Sequence, residues 1–345
     1  MTCKNPHFSF YSPINVGSVS LKGNIFLAPI AGYSDAVFRS LCEEEGAALT
    51  YTEMVSSEAL VRDVKKTCDL IEKTSINSQY AIQLFGSSSQ RLKEATKIVV
   101  EKYEPSIVDI NAGCPMPKIT KQGAGSALLS NPILLYQILS TLVETLAPHH
   151  VPLSLKIRSG KTNSAPLWKE VAKVAVDAGV AAITMHPRSE VQCYSGISDV
   201  MLIGELKEYL RSYDVKVFGS GDLFSPEDAK NMFEKTLCDG IMFARGAIGN
   251  PFIFRQTKDL LEKGSYQKTS IKEKIDMAKK ELRLLSSFKG EKLACLEMRK
   301  RSVPYIKGIV GASSIKSKLV RASKVSEYEE ILDSILDSIH SKLDF

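Results

Sequence analysis

A chain of 345 residues, 44% hydrophobic and 24% charged, can hold a barrel of about 250 residues plus an appendage; the composition excludes a disordered or fibrous protein. Seven scattered cysteines without a C-x-x-C pair exclude a disulfide framework and a metal site, and predict reduced thiols in the cytoplasm. The charge is uneven: residues 1–262 hold 27 Lys/Arg and 28 Asp/Glu, whereas 263–324 hold 17 and 5, which points to a polyanionic partner.

The N-terminal MTCKNPHFSF has no signal-peptide pattern, and no apolar run reaches about 18 residues, so no membrane association is expected. From there to residue 262, short apolar runs alternate with helix-like stretches. The runs lie at 24–30, 49–54, 80–86, 107–113, 153–157, 181–186, 215–219 and 240–244. Several are continuously apolar, as strands buried on both faces must be. Helical patterns fill 36–46, 89–102, 132–146, 168–179, 200–210 and 226–233. Pro132 and Pro226 follow Asn131 and Ser225, a cap-then-proline start, while Gly46 and Gly179 read as helix stops. Eight strands alternating with helices predict an α/β fold, a (β/α)8 TIM barrel. The rival, a doubly wound open sheet, would place phosphate-binding glycines after the first strand, where Ala28-Pro29-Ile30-Ala31-Gly32 is no G-x-G-x-x-G. Beyond 262, strand-like runs stop. Patterns at 271–288, 293–305, 315–322 and 325–343 predict a C-terminal all-α helical bundle, basic and docked on the barrel without a linker.

In such barrels the chemistry sits at the carboxyl ends of the strands. The unusual polar residues of this chain fall there: Glu53 after the second run, Gln83 in the third, Asn111 and Cys114 after the fourth, Lys156 and Arg158 in or after the fifth. His186 and Arg188 follow the sixth, Ser220, Gly221 and Asp222 the seventh, and Ala244 and Arg245 end the eighth. Glycines after strand seven and an Arg-Gly after strand eight suit a phosphate. Lys156, inside an apolar run, needs either a salt bridge or a cavity, and a ligand that gains negative charge would suit the cavity. A free cysteine is most often a small buried hydrophobe, but Cys114 lies in a turn between Gly113 and Pro115, among polar neighbours. A thiol of pKa about 8.5 can donate a proton, or attack as a nucleophile if a base lowers that value; the residues themselves do not choose.

Motifs across nearly the whole chain resemble the tRNA-dihydrouridine synthase family: Leu27 to Arg39, Asp109-Ile-Asn-Ala-Gly-Cys-Pro-Met-Pro-Lys118, Gly125 to Leu129, Leu155 to Gly160, Phe218 to Asp222, Met242 to Ala247, and Met298-Arg-Lys300 with Tyr305 and Lys307. The Asn-x-Gly-Cys-Pro segment is the most specific piece. The resemblance implies an FMN-binding barrel over 1–262 and a basic helical RNA-binding domain over 263–345. It implies FMN contacts at Pro29, Ile30, Ala31, Gln83, Lys156, His186, Ser220, Gly221, Asp222, Ala244 and Arg245, with Cys114 as proton donor. Asn111, Arg188, Arg299 and Lys300 fall on substrate-binding positions. The family's His-Gly-Arg-Thr-Arg is here His186-Pro-Arg-Ser-Glu190, and Arg-Lys-His-x-x-Trp-Tyr is here Arg299-Lys-Arg-Ser-Val-Pro-Tyr305.

The reaction so implied is reduction of uridine in tRNA to 5,6-dihydrouridine by NADPH through FMN, with no obligatory protein partner. The division also predicts that a barrel without residues 265–345 keeps its flavin. The alternatives are a small-molecule pyrimidine oxidoreductase of the dihydroorotate dehydrogenase kind, against which the basic tail argues, and an RNA-binding protein whose barrel no longer catalyses, against which Cys114 and Lys156 argue.

Overall fold

The computed structural model describes residues 9–73, 79–309 and 311–343; Cys3 and most of the stretch read above for a signal peptide lie outside them. Eight short parallel strands run around a ring: β1 (Ile25–Leu27), β2 (Leu49–Tyr51), β3 (Tyr80–Phe85), β4 (Ile107–Ala112), β5 (Leu153–Arg158), β6 (Ala182–His186), β7 (Lys216–Ser220) and β8 (Gly240–Phe243). Each pairs with the next, and β8 pairs back with β1. A closed ring has no edge, and helices cover it, so its strands are buried on both faces and read as near-continuous apolar runs. The (β/α)8 barrel expected from the sequence is the fold observed.

Helices α1 (Ala36–Glu44), α2 (Ser89–Tyr103), α3 (Pro132–Leu146), α4 (Trp168–Asp177), α5 (Met201–Tyr209), α6 (Pro226–Thr236) and α7 (Ile253–Lys263) belong to the barrel region. Asn131 caps α3 through the Leu134 amide, and Ser225 with Asp228 forms a capping box on α6, each just ahead of its proline. Gly46 and Gly179 end their helices at φ of 101° and 87°.

Three differences from the sequence reading have physical reasons. The first strand is shorter than 24–30, because Pro29 has no N–H for the ladder; the last bond is Ala28 N–H to Phe243 O at 2.8 Å, and residues 29–34 leave the ring. Helix α7 was not anticipated; it packs Ile253 and Phe254 into the outer core. A hairpin, Ile14–Val16 with Val19–Leu21, places Val16 and Leu21 with Phe26, Tyr51, Phe218 and Met242 inside the barrel. These side chains fill the barrel interior below the open carboxyl end.

Four more helices follow: α8 (Ile271–Lys289), α9 (Glu291–Tyr305), α10 (Ala312–Leu319) and α11 (Val325–Leu343). Ile275, Leu282, Leu285, Met298, Tyr305 and Leu332 share a second core with Val37 and Leu41 of α1 and with Phe252. A buried ionic cluster joins the same surfaces. Arg301 contacts Asp35 at 2.7 Å, Glu281 at 3.0 Å and Glu297 at 3.1 Å, and Lys289 contacts Asp35 at 2.6 Å. Among the described residues no helix is long and apolar enough to cross a membrane.

Candidate active site

A cavity of about 500 Å³ opens at the carboxyl end of the ring. Pro29, Ile30 and Ala31 enter it from the segment after β1, Gln83 from β3, Asn111 from β4, Cys114 from the turn after β4, and Lys156 from β5. His186, Ser220, Gly221, Asp222, Ala244 and Arg245 complete the opposite wall. Thirteen residues chosen from sequence thus meet in one space, and three do not line it. Arg188 is buried behind Asp222, while Arg299 and Lys300 are exposed on α9.

Alternation along β5 turns Ser154, Lys156 and Arg158 to one face. The Lys156 ammonium lines the cavity and has no hydrogen-bond or ion-pair partner among the described residues. Burial and then the Arg158 charge push its pKa down to about 8, against the pull of Asp109 and Cys114. His186 is pushed down to about 2 by burial and by the charges of Lys156, Arg158, Arg188 and Arg245, so it is neutral at physiological pH. Arg188 Nη1 lies 3.4 Å from His186 Nε2; an arginine only donates, so Nε2 accepts and the ring proton sits on Nδ1.

Asp222, at φ 52°, receives Arg188 at 2.7 and 2.8 Å, the Ser198 amide at 3.0 Å and Arg245 at 3.1 Å. Burial opposes ionisation, yet these bonds and charges hold its carboxyl below the usual range. Gly221, at φ 117°, leaves a concave backbone: a Cβ there would stand 2.5 Å from Ser198 Oγ and 2.7 Å from His186 Cδ2. The Arg245 guanidinium lies between two rings, 5.3 Å from Tyr194 and 5.2 Å from Phe224.

The Cys114 turn is held from three sides. Asn111 Oδ1 accepts from the Gly113 and Cys114 amides at 3.1 and 2.9 Å. Arg158 Nε donates to Gly113 O at 2.7 Å and its Nη1 to the Ser189 and Cys193 carbonyls at 2.9 Å, tying the turn to the loop after β6. The Ser126 amide donates to Cys114 O at 3.0 Å and its hydroxyl donates to Glu190 at 2.8 Å. Burial pushes the Cys114 thiol up, against a Met116 backbone bond and the charges of Arg158 and Lys156, so it stays protonated at neutral pH. It suits donation of a proton better than nucleophilic attack.

Beside this cavity lies a wider cleft of about 910 Å³ between the barrel mouth and the tail helices. Lys268, Lys274, Lys307 and Lys316 line it, and Tyr33, Phe224, Arg245 and Ile248 border both spaces. Lys300 Nζ donates to Gly32 O at 2.7 Å and lies 4.5 Å from the Tyr33 ring, fastening α9 to the segment that walls the cavity. Arg158, named from sequence only as a polar residue at the end of the fifth strand, also lines the cavity. Glu190, Tyr194 and Arg301 carry no such signal, because their places depend on contacts between distant segments.

A probable tRNA-dihydrouridine synthase of Treponema pallidum is 47% identical over 327 residues, covering 94% of this chain and 96% of that one. The tRNA-dihydrouridine synthase B of Pasteurella multocida is 36% identical over 297 residues, covering 86% and 87%. Among solved structures, histamine dehydrogenase from Rhizobium superposes with a TM-score of 0.58 at 13% identity over 86% of this chain and 52% of that one. The DHODH of Eimeria tenella in complex with ferulenol gives 0.52 at 11% identity over 75% and 84%, a likeness of fold. The dihydrouridine synthase (Dus) family model matches residues 26–340, so the chain belongs to that family of flavin-dependent oxidoreductases.

Proposed function

We propose that this protein is a tRNA-dihydrouridine synthase that reduces specific uridines of tRNA to 5,6-dihydrouridine, with FMN as its flavin, NADPH as reductant and Cys114 as proton donor. The reading rests on one observation above all: a protonated thiol and an unpartnered lysine ammonium face the same cavity. The names of the two relatives point to the same activity.

The residues present fit FMN. Lys156 offers a cation without a protein partner, suited to a ring system that gains negative charge. The concave backbone at Gly221, with Ser220 and Arg245, suits the phosphate, and the Asp222 charge is already balanced by Arg188. Bound there, FMN would supply hydride to C6 of the uracil.

The protein's own side chains do the rest. Cys114 holds a proton for C5, and Asn111 and Arg158 hold the Cys114 turn in place. Arg188, buried, acts through Asp222 and not by touching substrate. The base must leave its stack to enter, at a cost of a few kcal/mol, and the cleft lysines with Arg299 and Lys300 offset this through phosphate contacts. In this division residues 1–262 bind flavin and base and residues 263–345 bind the RNA backbone, and tRNA as substrate places the protein in the cytoplasm. A free pyrimidine would leave the lysine-lined cleft without a use. Full-length protein given FMN, NADPH and unmodified tRNA is expected to bind the flavin and form 5,6-dihydrouridine, read by mass spectrometry of the nucleosides. Colourless protein that takes up no FMN, or RNA left unchanged, would overturn the reading.

A further inference from the structure

Asp109 is fully buried inside the barrel, does not line the cavity, and has no role in the chemistry above. It precedes Asn111 by two residues on β4, so both side chains take the inner face, and Asp109 pairs in register with Gln83 of β3 and Ser154 of β5. Gln83 Nε2 donates to Asp109 Oδ2 at 2.7 Å, and Ser154 Oγ donates to Oδ1 at 2.5 Å. Gln83 Oε1 accepts from Asn111 Nδ2 at 2.8 Å, and Asn111 Oδ1 accepts from the Gly113 and Cys114 amides at 3.1 and 2.9 Å. The chain thus runs from the barrel interior to the turn that carries the thiol.

An amide side chain can turn over and exchange its oxygen with its nitrogen. A carboxylate only accepts, so from the inner end it demands the amino group of Gln83, the same sense that the Gly113 and Cys114 amides demand of Asn111 from the outer end. We propose that Asp109 is a positioning residue: its ionised carboxylate fixes the sense of the Gln83–Asn111 chain, and through it the Cys114 turn and the amide hydrogens presented to the cavity. The proposal rests on the reading of Cys114 as proton donor.

Protonation would undo the constraint. A carboxylic acid can donate to Gln83 Oε1, the chain reverses, and Asn111 then meets two N–H groups with its own amino group. Burial pushes Asp109 up to about 6, against the bonds from Gln83 and Ser154 and the charge of Lys156. From β2 the Tyr51 phenol faces the same carboxylate; burial, then the Asp109 charge, keep it protonated.

In the FMN-loaded full chain, uridine reduction per bound flavin should fall as pH drops through about 6, and infrared difference spectra should show a buried carboxyl gaining its proton over the same range. Asp109→Asn should remove both signals and slow uridine reduction at neutral pH by about tenfold to 10²-fold. Ser154→Ala, a milder change, should keep the sense of the chain but move both signals to higher pH by taking one donor from the carboxylate. Uridine reduction by Asp109→Asn at the native rate, or a Ser154→Ala protein with both signals unmoved, overturns the proposal. A slow Asp109→Asn beside an undiminished Cys114→Ala overturns the role of Cys114 and supports the chain; the reverse pattern overturns the chain and leaves Cys114 standing.

Discussion

Arg301 of α9 stands 2.7 Å from the carboxylate of Asp35, the N-cap of α1, and the two side chains are only 2% and 3% exposed. Burial disfavours the Asp35 charge, but Arg301 and Lys289 hold its pKa below the ordinary value. Removing Arg301 would leave Asp35 with Lys289 alone and the buried Glu281 carboxylate without its cation. Arg301→Ala should therefore cost about 3–5 kcal/mol of stability in denaturant unfolding. Deleting residues 265–345 would also uncover Val37, Leu41 and Phe252. The expectation that a bare barrel keeps its flavin gives way to another: the truncated protein should aggregate, as size-exclusion chromatography would reveal.

Cys114→Ala should remain yellow, because the thiol is one of many groups around the cavity. Formation of dihydrouridine should fall by about 10²–10⁴, the usual worth of a general acid. Stopped-flow measurement separates the steps: flavin reduction by NADPH unchanged, uridine reduction slow.

His186 has a folded-state value of about 2, far below that of a free imidazole. Below about pH 6.5 the unfolded chain binds a proton that the folded chain refuses. Its contribution to stability is complete above that pH and declines as pH falls, by at most about 1.4 kcal/mol per unit. Thermal melts of His186→Gln should show a shallower loss between about pH 6.5 and about pH 4 than the native protein; parallel curves would mean that the folded protein protonates His186 freely.

Lys268, Lys274, Lys307 and Lys316 line the cleft, and none takes part in an ion pair among the described residues. Replacing them with Ala should leave thermal stability nearly unchanged and weaken tRNA binding. The slope of log affinity against log salt should shrink by about 0.7–0.9 for each lysine that contacts a phosphate. An unchanged slope would place the RNA elsewhere.

The parts legible in the sequence were those with local or periodic causes. Buried strands give continuous apolar runs, and Asn131-Pro132 and Ser225-Pro226 announce helix starts through their own bonds. Polar residues at strand ends stand out against such runs, which is how Gln83, Asn111 and Lys156 could be picked. What stayed hidden depends on distance along the chain. Arg301 and Asp35 are 266 positions apart. Ser126 and Glu190 are 64 apart, and neither has a neighbour in sequence that announces the other. Asp109 was visible only as a letter in a motif, since its importance lies in which atoms of Gln83 and Asn111 it turns.

The carbonyl of Gly32 is a landing point for Lys300, while Ala31 and Tyr33 on either side of it wall the cavity at the barrel mouth. Appendage and pocket have thereby become joint tenants of a few residues, and neither can change its sequence freely without the other. A chimera that grafts a relative's tail onto this barrel should work only if the donor's version of the segment around Gly32 travels with it.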